Sequence, residues 1–288
     1  MNILDLKEVD EDNTRKLGSV LLSQGKINPM QAEQALVFQK KESVRFGEAL
    51  VKLGFISEQD LLHAVSSQFS YPYLQLGSAN ISEELLAAHN PFSVQVESLR
   101  SLRSQLILKW TSLGNTSLML VAHDRDCGAS LLLANLAVLF SQLGKRTLIV
   151  DANLRQPTQH TLFGIENRLG LSDILAGRAT SSVIHQIGEL RNLYLLAAGS
   201  PAPNPQELLS KQGVSTLVAD LGSKYDIVLY DVHPLADIAD AQLLAVHVPG
   251  VLLVAKQGKS SIKALQNVKT QLAAARSLVI GCVLNEGR

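Results

Sequence analysis

The sequence predicts an α/β protein with a parallel sheet, preceded by a small helical unit. From about residue 93 onward, short apolar runs alternate with amphipathic helical patterns, which is typical of strands buried on both faces of a parallel sheet. Residues 16–39 and 45–68 repeat one pattern at a shift of 29 positions, which predicts two copies of one helical unit. With 46% hydrophobic and 18% charged residues, the chain has the composition of a protein that buries a core.

Charge and cysteine content narrow the class of protein. The 288 residues include 26 basic and 26 acidic side chains, and this zero balance argues against a polybasic nucleic-acid binder. Cys127 and Cys282 are far apart, which fits a reducing compartment better than a disulfide framework. The acidic N-terminus lacks a signal-peptide pattern, and the longest apolar stretch is far shorter than the ~20 residues that span a bilayer. We expect a cytoplasmic protein that reaches a membrane only through a partner.

Each copy of the N-terminal repeat predicts a short helix ended by glycine, a turn and a second helix. Ser57 with Asp60 three residues later predicts a helix N-cap, and Pro29 predicts a helix start. The aligned pairs are Gly18 with Gly47, Leu21 with Leu50, Gly25 with Gly54, Ile27 with Ile56 and Gln39 with Gln68. Taken alone, these residues favour a small helical adaptor whose glycines only end helices.

The repeated spacing also resembles the MshEN domain, which is found at the N-terminus of type II secretion ATPases and whose members bind cyclic di-GMP. The resemblance covers residues 13–77 and implies a cyclic di-GMP groove of small and aliphatic residues with a cation at its edge. The half-site that matches the family pattern better comprises Arg45, Phe46, Gly47, Leu50, Gly54, Leu61 and Gln68. The other half-site comprises Lys16, Leu17, Gly18, Leu21, Gly25 and Gln39. It departs from the pattern because Lys16 replaces an arginine and cannot present a flat guanidinium for stacking. A purely structural module remains the alternative.

Residues 78–92 are predicted to be a linker, because Gly, Ser, Asn and Pro surround a short helical piece. The α/β domain is then expected over residues 93–288. A helix is predicted around residues 93–112, and another over residues 129–142. The predicted strands are Ser117–Ala122, Thr147–Asp151, Leu193–Ala197, Ile227–Asp231, Val251–Ala255 and Leu278–Leu284.

The loop after the first strand has the strand–glycine–helix order of a phosphate-binding loop. A working loop reads G-x-x-x-x-G-K-[ST], in which backbone N–H groups wrap the phosphates, the lysine neutralises them and the hydroxyl holds Mg²⁺. Gly128 and Ser130 fit this pattern, but Ala129 takes the lysine position and His123 the first glycine position. The loop by itself would therefore not be identified as a nucleotide site.

Other segments resemble the bacterial tyrosine kinases of polysaccharide export, a family with a P-loop NTPase fold. Residues 141–164 follow the hydrophobic-D-x-D-x-R pattern through Asp151 and Arg155, and residues 229–234 resemble the Walker B strand. A helical segment carries E-x-x-R-x-x-R at Glu97, Arg100 and Arg103, the ring-oligomerisation signature of the family. Together with the repeat in front, the chain looks most like the EpsG-type chain-length-determinant kinases of exopolysaccharide loci.

This resemblance implies roles for individual residues and for partners. The implied catalytic positions are Asp151, Asp231 and Arg155, the nucleotide-binding positions are Gly128, Ser130, Asn153 and Asn285, and Mg²⁺ would be held by Ser130 and Asp231. It further implies ATP and Mg²⁺ as cofactors and a homo-oligomer. The implied partner is a membrane polysaccharide copolymerase of the Wzc or Wzz adaptor type, which would place the protein at the periphery of the inner membrane.

Several of these positions depart from the family pattern. Ala129 removes the charge that bridges the phosphates, and Asn153 replaces the second acidic residue of its motif. Asp126 replaces a glycine beside Asp124, and two carboxylates near a polyphosphate repel it by roughly 1 kcal/mol each. The sequence therefore predicts a regulatory component of exopolysaccharide biosynthesis and export with a degenerate ATP site, that is, a pseudokinase.

Two alternatives stay open at this point. One is an active ATP-dependent protein-tyrosine autokinase, in which Arg125 or a cation from a partner replaces the lysine. The other is a ParA/MinD-like ATPase, a class whose signature lysine would align with Asp124.

Overall fold

The computed structural model describes residues 17–58, 60–61, 64–65, 80–188, 190–235 and 239–286. The chain divides into two compact units, Met1–Pro72 and Tyr73–Arg288. In the described part of the chain, no helix is both long enough and apolar enough to cross a bilayer.

The N-terminal unit shows the predicted repeat of helix, glycine turn and helix. Residues 17–23 are helical, α1 spans Pro29–Glu42 and α2 spans Phe46–Lys52. In the first copy, the N–H groups of residues 24, 25 and 26 bond to the carbonyls of residues 20, 22 and 21. In the second copy, the N–H groups of residues 53, 54 and 55 bond to the carbonyls of residues 49, 51 and 50. Gly25 and Gly54 have φ angles of 66° and 70°, so each turn uses the left-handed conformation that glycine adopts without strain.

The second helix of each copy also begins in the same way. Asn28 and Gln31 exchange two hydrogen bonds of 2.9 Å between side chain and backbone, and Ser57 and Asp60 make the equivalent pair at 3.0 and 3.1 Å. These capping boxes confirm the N-cap predicted at Ser57 and the helix start predicted at Pro29. Lys26 lies 2.8 Å from Asp60 and links the two copies, and its hydrogen bond lowers the pKa of Asp60 to about 2.

The described residues of the C-terminal unit form a seven-stranded sheet. The strands are β1 Ser117–Ala122, β2 Thr147–Asp151, β3 His185–Gln186, β4 Leu193–Leu196, β5 Ile227–Asp231, β6 Gly250–Lys256 and β7 Leu278–Asn285. The α-helices are α3 Leu86–His89, α4 Val94–Lys109, α5 Ala129–Gln142, α6 Gln159–Leu162, α7 Leu171–Leu175, α8 Pro205–Leu209, α9 Gly213–Lys224, α10 Asp240–Ala245 and α11 Ile262–Ala274. The strand order is β3-β4-β2-β5-β1-β6-β7, and β3 is the one antiparallel strand among these.

Two hydrophobic cores lie on the two faces of the sheet, as the near-continuous apolar runs predict. Leu118 and Leu120 of β1 pack with α5 on one face, whereas Met119 and Val121 pack with α9, α10 and α11 on the other. All six predicted strands form, with ends that differ by at most one residue from the predicted ones. The edge strand β7 differs from the prediction because most of its residues are partly or largely exposed.

The segment predicted as a linker behaves differently in its described part. Leu85, Ala87 and Ala88 are fully buried, and Ala87 bonds through its N–H to Asn135 and through its carbonyl to Gln142 of α5, both at 2.9 Å. Residues 80–92 therefore belong to the α/β unit, and the change of unit falls earlier, at Pro72. The polar composition of this segment reflects turns that pack against α5 and not an exposed connection.

Candidate nucleotide site

The carboxyl ends of β1, β5 and β2 meet at a cavity of about 520 Å³. These strands are neighbours in the sheet, so the loop after β1, Asp151 at the end of β2 and Asp231 at the end of β5 come together. The cavity is lined by Glu84, Ala122, Asp124, Arg125, Asp126, Cys127, Gly128, Ala129, Ser130, Leu131, Asn153, Gln156, Thr158, Thr161, Leu162, Val232 and Pro234. The structure thus brings together the predicted nucleotide positions Gly128, Ser130 and Asn153.

Asp151 and Asp231 form a buried acidic pair. They are partners in the register of β2 and β5, and neither is exposed to solvent. The carboxylate of Asp151 accepts hydrogen bonds from the backbone N–H groups of Asn153, Thr158 and Gln159 at 3.3, 3.1 and 3.0 Å. Burial and the neighbouring charge of Asp231 raise the pKa of Asp151 well above its usual range, and burial raises the pKa of Asp231 to about 6.

Gln159, which the sequence analysis did not single out, completes a network with Ser130 and Asp231. One oxygen of Asp231 accepts from Ser130 Oγ at 3.0 Å and the other from Gln159 Nε2 at 2.6 Å. The same Nε2 donates to the Ser130 carbonyl at 3.0 Å. Gln159 is fully buried, and its Oε1 has no hydrogen-bond partner among the described residues.

These groups fit a magnesium ion that is shared with phosphate and water. A serine hydroxyl on the first turn of the helix after the loop and a carboxylate at the end of β5 are the side chains that hold Mg²⁺ in phosphate-binding-loop proteins. Mg²⁺ keeps several waters, and the unpartnered Oε1 of Gln159, whose Nε2 bonds to Asp231 and Ser130, would be an acceptor for one of them. No three His, Cys, Asp or Glu side chains of the described residues gather into a metal site.

The loop between β1 and α5 is unusual for a phosphate site. Asp126 is a non-glycine residue with a φ of 59°, and Gly128 has a φ of 77°. The positive φ at Gly128 favours glycine, and a Cβ there would also have to displace the side-chain amide of Asn285. Of the described lining residues, Glu84, Asp124 and Asp126 carry carboxylates, whereas Arg125 carries the one permanent cation. The lining is acidic where a polyphosphate would need positive charge.

Two further residues that the sequence assigned to the site have other contacts. Arg155 makes a bidentate ion pair with Asp240 of α10, at 2.7 and 3.3 Å, and Asp240 is buried. Asn285 donates its side-chain amide to the carbonyl of Cys127 at 2.9 Å. Neither Arg155 nor Asn285 is among the residues that line the cavity.

Lys256 and Lys259, which the sequence analysis also missed, contact the loop from the end of β6. Their placement depends on β6 being the neighbour of β1, and strand order cannot be read from the apolar runs alone.

The residues of the predicted oligomer signature lie on α4. Glu97 and Arg100 form an ion pair of 3.1 Å within the helix, in which Glu97 is 69% exposed and Arg100 is 18% exposed. Arg103 donates to the carbonyl of Leu139 on α5 at 2.9 Å. Glu97 is therefore at the surface, Arg100 is half-buried, and Arg103 contacts its own chain.

The predicted cyclic di-GMP residues divide into three groups. Leu17, Gly18, Leu21, Phe46, Gly47 and Leu50 are buried within the N-terminal unit. Gly25, Gly54 and Arg45 are exposed, and Gln39 and Leu61 are half-buried. Lys16 and Gln68 lie outside the described residues. A Cβ at Gly47 would overlap the side chain of Leu61, so helix packing explains this glycine.

Known proteins resemble the chain over most of its length. It is 32% identical over 207 residues to the tyrosine-protein kinase YwqD of Bacillus subtilis, which covers 72% of this chain and 87% of YwqD. It is 33% identical over 196 residues to the putative tyrosine-protein kinase CapB of Staphylococcus aureus, covering 68% and 86%. With the tyrosine-protein kinase wzc of Salmonella typhi the identity is 34% over 202 residues, but these span only 28% of that protein.

Solved structures give the same result. The kinase domain of the Escherichia coli tyrosine kinase ETK matches with a TM-score of 0.68 and 31% identity, over 70% of this chain and 80% of that one. The chimerical protein CapA2B2 matches with a TM-score of 0.66 and 31% identity, over 77% and 97%. MinD of Pyrococcus horikoshii, at a TM-score of 0.53 and 23% identity, shares the fold alone.

No protein-family model matches the chain. The kinase relatives nevertheless exceed 30% identity over most of their own length in YwqD and CapB, and the solved kinase domain of ETK shares the fold at a TM-score of 0.68. The chain belongs to the family of bacterial tyrosine-protein kinases.

Proposed function

We propose that the chain is a regulatory component of exopolysaccharide biosynthesis and export, acting in chain-length control, whose nucleotide site does not transfer phosphate. The observation that carries this proposal is the first residue of α5, where Ala129 stands at the position of the lysine in a working loop. The methyl group of Ala129 lines the cavity, together with three carboxylates and one guanidinium.

Phosphoryl transfer depends on positive charge placed against the transferring group. In phosphate-binding-loop proteins the lysine and Mg²⁺ neutralise the developing charge, and removing one such group costs about a hundredfold or more in rate. Ser130 and Asp231 retain a place for the metal, but Ala129 supplies no charge. The metal end of the site is therefore kept while the phosphate end is weakened.

The regulatory role rests on association with other chains. We propose a homo-oligomer through α4, whose Glu97 is exposed, and a membrane polysaccharide copolymerase as the partner that places the protein at the inner membrane. The α4 helix supports this proposal because the exposed Glu97 carboxylate can accept a cation from a neighbouring subunit.

The N-terminal unit is proposed to sense cyclic di-GMP. Its two copies share caps and turns, so a ligand with two equivalent halves could meet two equivalent surfaces. Arg45 is exposed at the start of α2 and is the described residue best suited to stack on a guanine. Calorimetry with cyclic di-GMP should show binding that Arg45→Ala weakens and that Lys41→Ala, an exposed cation of the same unit, leaves unchanged. If cyclic di-GMP does not bind at high micromolar concentration, the N-terminal unit is a helical adaptor and not a sensor.

The absence of phosphate transfer is tested on the purified full chain with Mg-ATP and a co-expressed copolymerase. We expect no phosphotyrosine on either protein above the level given by Asp151→Asn. A signal that this variant abolishes would favour the alternative of an active autokinase. In cells, deletion of the chain should change the length distribution of the polymer, and an unchanged distribution would count against a role in chain-length control.

A further inference from the structure

Three consecutive carbonyl groups of the loop after β1 each accept a hydrogen bond from a side chain outside the loop. The bonds run from Lys259 Nζ to the Arg125 carbonyl at 2.5 Å, from Lys256 Nζ to the Asp126 carbonyl at 3.1 Å, and from Asn285 Nδ2 to the Cys127 carbonyl at 2.9 Å. The donors come from the end of β6, the turn after it and the end of β7. This side of the loop is thus held by two cations and an amide.

The orientation of these carbonyls fixes the orientation of the neighbouring N–H groups. In a trans peptide the carbonyl and the following N–H point in opposite directions, and the chain has no cis peptide among its described residues. The N–H groups of Asp126, Cys127 and Gly128 therefore point away from the three donors. The cavity is lined by these loop residues and by none of the donors. This puts the N–H groups on the side of the loop opposite the donors, which is the arrangement that an anion-binding loop has.

The donors are themselves held in place before any ligand arrives. The backbone N–H of Lys256 donates to Ser260 Oγ at 3.0 Å, and the N–H of Lys259 donates to the Lys256 carbonyl at 3.1 Å. Gln257 N–H bonds to the Asn285 carbonyl at 2.9 Å and ties this turn to β7. The two lysines and the asparagine thus form one ordered unit.

The same lysines change the charge of the loop. Lys259 lies 3.5 Å from the Asp126 carboxylate, and His123 lies 2.8 Å from Asp124. The loop sequence alone suggests a net negative site, but the turn after β6 adds two positive charges directly behind it. Asp126 therefore does not present an unopposed charge to an anion in the cavity.

We propose that Lys256, Lys259 and Asn285 are positioning residues that hold the loop in an anion-binding conformation and supply, from behind it, positive charge that Ala129 lacks. The ligand class is a polyphosphate, free or as part of a nucleotide. This inference rests on the proposed function in treating the site as one that binds phosphate groups without transferring them.

The test is calorimetric titration of the full chain with tripolyphosphate and with ADP, both in the presence of Mg²⁺. We expect Lys256→Met/Lys259→Met to lower the affinity for both ligands by about tenfold. The variant removes the hydrogen bonds from two charged side chains to the loop carbonyls, at a partly exposed site. Lys263→Met, which removes an exposed lysine of α11, is the matched control and should change affinity less than about twofold. Lys256→Arg keeps donor and charge and should retain the affinity of the parent chain.

Each outcome has one meaning. Equal losses in the double variant and in Lys263→Met would overturn the proposal, because they would show only a long-range effect of charge. No binding of either ligand to the parent chain at millimolar concentration would also overturn it, while leaving the proposed regulatory function intact. Transfer of the γ-phosphate from ATP would instead contradict the proposed function, and the effect of the lysines on ADP affinity would still stand. Thermal unfolding of every variant verifies that a weakened affinity does not come from a lost fold.

Discussion

The acidic pair at the ends of β2 and β5 and the loop after β1 belong to one site, yet they differ in how far they depart from the family pattern. Asp151 and Asp231 stand where the family resemblance places carboxylates, whereas Ala129 stands at the lysine position of a working loop and Asp126 at a glycine position. The pair is fully buried, while the side chain of Asp126 is 85% exposed. The acidic pair is therefore part of the interior of the protein, whereas Asp126 of the loop faces solvent.

Under the proposed function, the two carboxylates persist for a structural reason that does not require phosphate transfer. The carboxylate of Asp151 accepts hydrogen bonds from three backbone N–H groups, and that of Asp231 accepts hydrogen bonds from Ser130 and Gln159. Replacing either carboxylate would therefore leave buried donors without partners. The side chain of Asp126, by contrast, is largely exposed and can change at little cost to stability. Hydrogen bonding within the fold therefore holds both carboxylates in place whether or not phosphate is transferred.

The largest expected effect comes from repairing the loop. Asp126→Gly/Ala129→Lys should raise the affinity for Mg-ATP about a hundredfold, because a lysine then contacts the phosphates and a carboxylate is removed. Calorimetry on the purified chain measures this change. Adding Ser130→Ala to the repaired loop should remove the Mg²⁺ dependence. If the repaired chain binds ATP no better than the parent chain, Ala129 and Asp126 are not the cause of weak nucleotide binding.

A second prediction separates structural from catalytic roles beside the acidic pair. Arg155→Met should lower the free energy of unfolding by about 2 kcal/mol, since it leaves the buried carboxylate of Asp240 without its cation. Urea denaturation gives the value. Arg155→Met/Asp240→Asn should recover most of the loss, because the uncompensated charge is then absent. A single variant as stable as the parent would show that the ion pair contributes nothing to folding.

The third prediction uses the raised pKa of Asp231. With a pKa of about 6 in the folded chain and about 4 in the unfolded chain, Asp231 holds a proton between these values only when folded. Its contribution to stability is therefore present below about pH 4 and is lost as the pH rises toward 6. The unfolding free energy of Asp231→Asn, relative to the parent, should increase by about 1 to 2 kcal/mol between pH 4 and pH 7. A difference that is flat with pH would contradict the burial of this charge.

The smallest effect is expected at Gln159. Gln159→Leu removes the donor to Asp231 and should destabilise the fold by about 1 kcal/mol at pH 7.5, but less at pH 4.5, where the carboxyl is protonated. Chemical denaturation at the two pH values makes the measurement. Gln156→Leu serves as the control, because its side chain lines the cavity without bonding to the acidic pair. Equal effects of both substitutions at both pH values would show that the hydrogen bond from Gln159 to Asp231 does not contribute to stability.

The sequence predicted those features that local pattern determines. The strands around Asp151 and Asp231 and the helix beginning at Ala129 form as predicted, because long apolar runs and a glycine before a helix are strong local signals. The shared caps and turns of the N-terminal copies were likewise readable from a repeated spacing. The family resemblance carried by the α/β unit is confirmed by its kinase relatives.

Features that depend on tertiary neighbours could not be predicted in the same way. The two-residue strand β3 has no periodicity to read, and the burial of Leu85 depends on α5, a distant part of the chain. Lys256 reaches the loop only because β6 lies beside β1. The family resemblance implies a catalytic position for Arg155, but Asp240 provides a buried partner that no spacing rule predicts.

The central claim is that this chain keeps the metal end of a kinase site and has lost phosphate transfer through its loop. The most direct test follows the intact mass of the purified chain and the release of ADP during incubation with Mg-ATP, for the parent and for Asp126→Gly/Ala129→Lys side by side. The account predicts no phosphorylated species and no ADP above the Asp151→Asn background for the parent. Phosphorylation of the parent chain at a level that Asp151→Asn abolishes would contradict it.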